Sequence, residues 1–217
     1  MASQLDLEEQ EQLDQLKAFW NQYGNLITWA LIAVLAAFAA WNGWNWWQRE
    51  QAVSAGGIYG ELEKAVETGD PATAGKIFDD LKSRYPRTAF AQQGGLLTAK
   101  LQYDKGQAEA ARSTLQWVAS EAVEKEYKTM ARFRLAGLLF DAKQYDPALK
   151  ELDAADAKGF EALIADRRGD ILLAQNKPDQ AKVAYQESWK ALDIKLGYRR
   201  IVEAKLAALG VAPEGAQ

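Results

Sequence analysis

The sequence predicts an all-α protein in which a single N-terminal transmembrane helix is followed by an α-solenoid of about four helical hairpins and a C-terminal capping helix. Three observations support this fold class. One long stretch near the N-terminus carries no charge, apolar residues recur at helical spacing after residue 50, and helix-breaking residues return at regular intervals. Few β-branched runs and only five prolines interrupt this pattern, so an extended sheet is not expected.

The N-terminal part contains a candidate membrane span. No charged residue lies between Lys17 and Arg49, and residues 24–47 form the predicted transmembrane helix, preceded by an acidic tail, residues 1–23. A bilayer core about 30 Å thick requires about 20 apolar residues of helix. Tryptophan is concentrated around this stretch, as expected for side chains that lie at a membrane interface. We therefore expect the rest of the chain to work at a membrane surface.

A cleaved signal peptide is the main alternative to an anchor. The chain begins with acidic residues, whereas a signal peptide begins with basic ones, and the apolar stretch is longer than a signal peptide requires. We expect an uncleaved anchor, and cleavage stays open. The positive-inside rule does not give the orientation, because only Lys17 precedes the span and only Arg49 and Lys64 closely follow it.

Residues 48–210 are predicted to form a domain of helical repeats. A small residue recurs early in the second helix of each predicted hairpin, at Ala74, Ala111, Ala148 and Ala181, with spacings of 37, 37 and 33 residues. These spacings are close to the tetratricopeptide period of about 34 residues. Small residues at such positions let the two helices of a hairpin approach closely. A tetratricopeptide-like solenoid is therefore favoured, and an ordinary helical bundle stays open as the alternative.

Turn residues separate the predicted helices. Asp70-Pro71 and Asp146-Pro147 predict helix starts, because Asp caps free backbone amides and Pro has no amide to leave unpaired. The second repeat matches the pattern least well. It has small or polar residues where larger apolar ones are expected, at Thr98, Ala99 and Gln102.

The C-terminal end of the repeat domain is predicted to be a capping helix. After Asp193 the apolar residues again follow helical spacing on one side, at Tyr198, Val202, Leu206 and Leu209. Terminal helices of this kind cover the last hairpin of a solenoid. Residues 211–217 are predicted to be a disordered tail.

The composition argues against catalysis. The chain contains no histidine and no cysteine, which removes the commonest general base, a common nucleophile and the soft metal ligands. Neighbouring carboxylates fall on the polar faces of predicted helices, where charges are ordinary. A formal net charge of −4 with scattered Lys and Arg argues against nucleic acid as a partner. We therefore expect no enzyme activity, no cofactor and no metal site.

The first helices of stacked hairpins line a concave surface that solenoids use for binding. By register we expect a protein-binding groove formed by Tyr59, Glu63, Leu96, Lys100, Tyr103, Met130, Phe133, Phe140, Leu163, Asp166 and Asp170. Phe133 and Phe140 have an alternative role in packing between hairpins, because periodicity alone does not separate the two faces. A clamp for a C-terminal carboxylate is not predicted, because Tyr59, Glu63 and Leu97 occupy the positions where such clamps carry Lys, Arg and Asn.

Small residues within the span offer a second contact surface. They recur at a spacing that lets two membrane helices approach closely. The predicted membrane-helix contact face consists of Ala33, Ala36, Ala37, Ala40 and Gly43. The alternative is that these residues only fill an apolar run.

Three local strings carry a family resemblance: YPRTAFA at 85–91, ARFRLA at 131–136 and DRRGDIL at 166–172. Together with the acidic tail, the Trp-flanked span and the degenerate hairpins, they make the chain similar to the YfgM family, the ancillary subunits of the SecYEG translocon. The resemblance implies a single-pass, type II protein of the bacterial inner membrane. Its N-terminus would lie in the cytoplasm and its C-terminal domain in the periplasm.

The same resemblance implies a function and its partners. The chain would be a non-enzymatic adaptor that passes newly exported proteins to periplasmic chaperones. Its partners would be the SecYEG translocon, a PpiD-like membrane-anchored prolyl isomerase and exported client proteins, with the lipid bilayer around the span. Two alternatives stay open: a scaffold for cell-envelope assembly, and a cytosol-facing regulator that sequesters a signalling protein, since charge leaves the orientation undecided.

Overall fold

A computed structural model describes residues 7–156, 158–193 and 197–211. The chain divides into two compact units, Met1–Gln51 and Ala52–Gln217. Within the described residues there are nine α-helices and no β-strand, which confirms the all-α prediction. The helices are α1 (Leu7–Glu67), α2 (Pro71–Arg84), α3 (Ala89–Asp104), α4 (Ala108–Glu121), α5 (Lys125–Asp141), α6 (Tyr145–Asp153), α7 (Glu161–Ala174), α8 (Pro178–Ala191) and α9 (Tyr198–Ala208).

Where the structure describes it, the first unit is the N-terminal part of α1, which contains the predicted span. The stretch Gln10–Glu67 is long and apolar enough for a helix that crosses a membrane. Two of its polar side chains have partners inside the helix: Thr28 Oγ1 donates to the Gly24 carbonyl at 2.8 Å, and Asn42 Nδ2 donates to the Phe38 carbonyl at 3.0 Å. Such internal bonds meet the requirement that polar groups in lipid be satisfied within the protein.

The predicted segment boundaries at residues 23 and 47 fall inside one continuous helix. The described part of the acidic tail is already helical, so no helix end separates tail from span. These boundaries therefore stay predictions. Of the predicted C-terminal tail, residues 212–217 lie outside the described part of the chain.

The second unit is built from helical hairpins, as the repeat spacing predicted. The C-terminal part of α1 pairs with α2, and α3–α4, α5–α6 and α7–α8 follow, with α9 packed on α8. The four anchor alanines, Ala74, Ala111, Ala148 and Ala181, are each completely buried, and each lies in the second helix of its hairpin. In α9, Val202 and Leu206 are also completely buried, which confirms the predicted capping helix.

The two Asp-Pro pairs behave differently. Asp70 is the N-cap of α2 and accepts hydrogen bonds from the backbone N–H groups of Ala72 and Thr73 at 3.0 and 3.2 Å, as expected. By contrast, α6 begins at Tyr145, so Asp146 lies in the first turn and is not the cap. Its carboxylate instead accepts from Gln175 Nε2 at 2.7 Å. Proline is tolerated after it because amides of the first turn have no helical partner.

The small residues of the second hairpin lie where α3 packs closely against its neighbours, including the first hairpin. A Cβ atom added to Gly94 would lie 2.9 Å from methyl groups of both Leu62 and Leu81, closer than side chains tolerate. Gln102 is buried and accepts a hydrogen bond from Thr114 Oγ1 at 2.9 Å. The weak match of this repeat is therefore a local solution to helix packing, with a polar pair in place of larger apolar side chains.

Candidate functional site

A groove of about 330 Å³ lies along the first helices of the second, third and fourth hairpins. We call it the α3–α5–α7 groove. It is lined by Ala99, Lys100, Tyr103, Leu115, Phe133, Arg134, Gly137, Leu138, Asp141 and Arg167. Helix α5 lies at the centre of the groove and packs against α3, α4, α6 and α7. Its floor is apolar and its rim carries charge, an arrangement typical of clefts that bind and orient a ligand.

The groove carries more positive than negative charge. Arg134 Nη1 donates to the Leu96 carbonyl at 3.0 Å, and partial burial of the Arg134 guanidinium lowers its pKa. The Arg167 guanidinium lies 5.3 Å from the ring centre of Phe133, a cation–π distance. Among the described residues, neither Arg134 nor Arg167 forms an ion pair with a carboxylate.

The other charges at the groove already have partners. Lys100 Nζ lies 2.5 Å from Asp104 Oδ2 in an ion pair along one face of α3. The Tyr103 hydroxyl donates to Asp141 Oδ2 at 2.5 Å, and this hydrogen bond raises the pKa of Tyr103. The two unpaired guanidinium groups are therefore the available positive charges of this surface. They outnumber the Asp141 carboxylate, which keeps its negative charge because its partner is a neutral hydroxyl.

Three of the residues predicted for the groove line it in the structure: Lys100, Tyr103 and Phe133. Leu96 is 8% exposed and belongs to the core, and Met130 and Phe140 pack against the same core cluster. Phe140 therefore has the alternative role, packing between hairpins. Phe133 combines both roles, because it touches the core and faces the groove.

The remaining predicted residues lie at the two ends of the hairpin array. Near the first hairpin, the Tyr59 ring packs against Phe90 with 5.4 Å between ring centres, while Glu63 is exposed. Near the last hairpin, Leu163 is half-buried, and Asp166 and Asp170 belong to a separate polar cluster. None of these five residues lines the α3–α5–α7 groove.

Several groove residues were missed in the sequence. Arg134, Gly137 and Asp141 recur with the spacing of one face of α5, and Arg167 approaches the same groove from α7. The helical spacing was visible, but charged and glycine residues on a helix face are usually only solvated. Their common groove arises only when α7 packs beside α5.

The predicted contact face of the span is exposed along its whole length in the first unit. Ala33, Ala36, Ala37, Ala40 and Gly43 are all exposed, and a Cβ atom on Gly43 would meet nothing within 4 Å among the described residues. The face is thus free for a neighbouring helix, and its use for binding stays a prediction.

A polar cluster joins the last hairpin to the capping helix. Lys205 Nζ of α9 lies 2.8 Å from each carboxylate oxygen of Asp166 and 2.7 Å from Asp170 Oδ1. The hydroxyl of Tyr198 donates to Asp166 Oδ2 at 2.6 Å, and that of Tyr185 donates to Asp170 Oδ1 at 2.8 Å. Asp166 is only 3% exposed. We call these five residues the cap cluster. It gives the charges of Asp166 and Asp170, two of the predicted groove residues, a role in holding α9.

The cap cluster should make the fold sensitive to alkali. Burial, together with the hydrogen bonds to Asp170 and Asp166, raises the pKa of both Tyr185 and Tyr198. In the unfolded chain these phenols ionise near pH 10, whereas the folded state keeps them neutral. Their contribution to stability is therefore complete below about pH 10 and declines as the pH rises further. Urea unfolding of the full chain between about pH 9 and 11 should show this decline.

The Tyr198→Phe variant is the matched comparison for this pH effect. It keeps the ring but removes the ionisable hydroxyl, so its stability should fall less steeply with pH than that of the original chain. Equal slopes for the two proteins would show that Tyr198 does not contribute to the alkaline loss.

In the part of the chain that the structure describes, no group of three or more Asp or Glu side chains is arranged to hold a metal ion. The carboxylates of Asp166 and Asp170 are joined by the ammonium group of Lys205. What these surfaces offer chemically is binding through apolar contact and fixed charge.

Comparison with known proteins agrees with this architecture. A family model described as a tetratricopeptide repeat-like domain matches residues 17–211. A curated relative from Neisseria gonorrhoeae, named ancillary SecYEG translocon subunit, is 27% identical over 94% of this chain and 98% of its own. A relative with the same name from Escherichia coli K12 is 28% identical over 94% of this chain and 97% of its own. Another from Haemophilus influenzae is 26% identical over 84% of this chain and 89% of its own.

One solved structure shares the fold. The crystal structure of MamA is 19% identical in sequence, covers 68% of this chain and 81% of its own, and superposes with a TM-score of 0.53. At this level of identity the similarity concerns the helical repeat fold alone.

Proposed function

Because the chain belongs to the tetratricopeptide repeat-like domain family, we propose that it is a non-enzymatic, membrane-anchored adaptor of the Sec translocon. The observation that carries the proposal is the extent of the similarity to ancillary translocon subunits, which includes both the apolar part of α1 and the hairpins. These relatives confirm the resemblance to the YfgM family. An adaptor also suits a chain that has no histidine or cysteine and a surface built for contact.

We further propose that the adaptor passes newly exported proteins to periplasmic chaperones. In this proposal the N-terminus lies in the cytoplasm, α1 crosses the inner membrane once, and the hairpins lie in the periplasm. A PpiD-like prolyl isomerase and the translocon would contact the membrane helix, and exported clients would contact the hairpins. The exposed small-residue face of the span and the unpaired cations of the α3–α5–α7 groove support this division of roles.

Site-specific photocrosslinking in intact cells tests the proposed function. A photoreactive residue placed at Ala36, on the small-residue face, is expected to give adducts with translocon subunits. The same probe at Leu31, on the opposite face of the helix, is the matched control and should give fewer adducts, because small residues permit the closest helix approach. Translocon adducts absent from both positions would contradict the proposed function.

A reporter fused to the C-terminus completes the test. Activity of a reporter that works only in the periplasm is expected. Activity of one that works only in the cytoplasm would overturn the proposed orientation and favour the cytosol-facing regulator. Periplasmic activity without translocon adducts would favour the envelope scaffold instead.

A further inference from the structure

We propose that the α3–α5–α7 groove binds an extended protein segment in which an acidic side chain lies next to a large apolar one. The apolar side chain would occupy the floor between α3 and α5, and the carboxylate would pair with Arg134 or Arg167 at the rim. This proposal deepens the proposed function. The identity of the segment as part of an exported client rests on that function. The binding chemistry itself follows from the groove alone.

The apolar half of the proposal follows from the shape of the groove. Ala99, Leu115 and Leu138 form a floor without charge, and Phe133 supplies an aromatic wall. Gly137 has no side chain, and a Cβ atom placed there would lie 3.5 Å from Arg167 Nη1, so the glycine keeps the groove open beside the guanidinium. A volume of about 330 Å³ lies at the lower end of ligand clefts, about 300–1,000 Å³. The space therefore suits one or two side chains of an extended segment and not a folded domain.

The acidic half follows from charge. Arg134 is exposed and, among the described residues, has one backbone carbonyl as its hydrogen-bond partner, so its remaining N–H groups can donate to a carboxylate. Arg167 is held over Phe133 by a cation–π contact, which leaves its N–H groups free to donate to a carboxylate. The positive groove is a local feature, because the chain as a whole has a formal net charge of −4.

Charge also separates this occupant from others. A basic segment would face two like charges, and a purely apolar segment would bury guanidinium groups without compensation. The C-terminal residues of the chain itself carry one glutamate, Glu214, and offer an internal competitor. A chain truncated after Val211 tests for that competitor directly.

Fluorescence anisotropy of labelled peptides with the full chain in detergent micelles tests the proposal. The probe is a Ser/Gly peptide with one glutamate beside one phenylalanine. One matched peptide replaces the glutamate with glutamine, and another replaces the phenylalanine with serine. We expect each matched peptide to bind about tenfold more weakly than the probe, because each loses one half of the recognition. This comparison uses the unaltered chain and does not depend on how any variant folds.

Variants then assign the effect to the groove. The double variant Arg134→Gln/Arg167→Gln is expected to bind the probe about tenfold more weakly and to bind the glutamine peptide as before. Its matched control is Arg87→Gln/Arg200→Gln, which makes the same change in net charge at exposed positions that do not line the groove. The control should leave probe binding unchanged.

Three results would overturn the proposal. The first is equal binding of the probe and the glutamine peptide, and the second is an equal loss of probe affinity in both double variants. The third is a rise in probe affinity on truncation after Val211, which would assign the groove to the chain's own tail. The crosslinking test is independent of these outcomes. Translocon adducts without selective peptide binding would remove only the groove proposal, and selective peptide binding without adducts would remove only the proposed function.

Discussion

Replacing Lys205 with methionine is expected to lower the free energy of unfolding by about 3 kcal/mol. The substitution keeps the unbranched apolar stem of the side chain but removes the cation that lies within 2.8 Å of two carboxylates. Asp166 is 3% exposed, so its negative charge would be left without compensation in a poorly hydrated position. Urea titration of the full chain, followed by circular dichroism, measures the change.

The matched control is Lys190→Met on α8. Lys190 is exposed and forms no ion pair within the described residues, so its replacement should change the free energy of unfolding by less than about 0.5 kcal/mol. In a double variant, Asp166→Asn should recover part of the loss caused by Lys205→Met, because the two residues act on each other. A loss in Lys205→Met no larger than in Lys190→Met would show that the cap cluster does not hold α9.

The hairpin architecture could be predicted because it depends on local properties of the sequence. A small residue is required wherever the second helix of a hairpin crosses its neighbours, and this requirement repeats with the length of one hairpin. Ala74 and Ala181 lie far apart in the sequence, yet both are completely buried in equivalent helices. The turn at Asp70 was predictable for the same reason, since a cap acts only on amides two or three residues away.

The cap cluster could not be predicted, because its members come from three helices. Lys205 lies 39 residues beyond Asp166 in the sequence, and nothing local marks the two as partners. A charge at helical spacing usually indicates a solvated face, so Asp166 and Asp170 were placed on the open surface of α7. Whether a first helix presents its charges to solvent or to the next helix depends on where the array ends. At the last hairpin, α9 covers that face.

The candidate groove was predicted only in part for a related reason. Lys100, Tyr103 and Phe133 were correctly placed beside one another by the repeat register, whereas Leu96 turned inward to the core. Periodicity shows on which face of its helix a residue lies. It does not show how far a neighbouring helix buries that residue. In α3 the neighbouring side chains come close enough that a Cβ atom at Gly94 would lie 2.9 Å from Leu62 and Leu81.

Replacing Gly169 with alanine is expected to lower the free energy of unfolding by about 2 kcal/mol. The added Cβ would overlap the ring of Tyr185, whose Cζ would lie only 2.9 Å away. The ring is 1% exposed and its hydroxyl is bonded to Asp170, so it has little room to move. Overpacking of this kind costs about 1–3 kcal/mol and should exceed the gain of up to about 1 kcal/mol that alanine brings to a helix. The same urea titration measures the difference.

The identical substitution at Gly137 separates overpacking from helix propensity. There the nearest atom to an added Cβ would be Arg167 Nη1 at 3.5 Å, an ordinary contact, so Gly137→Ala should stabilise the fold by about 0.5–1 kcal/mol. Combining Gly169→Ala with Tyr185→Leu should cost less than the sum of the two single changes, because the smaller side chain removes the overlap. Strict additivity, or stabilisation by Gly169→Ala alone, would mean that α7 and α8 can separate freely. The small residue at this position would then not be what sets the spacing within the last hairpin.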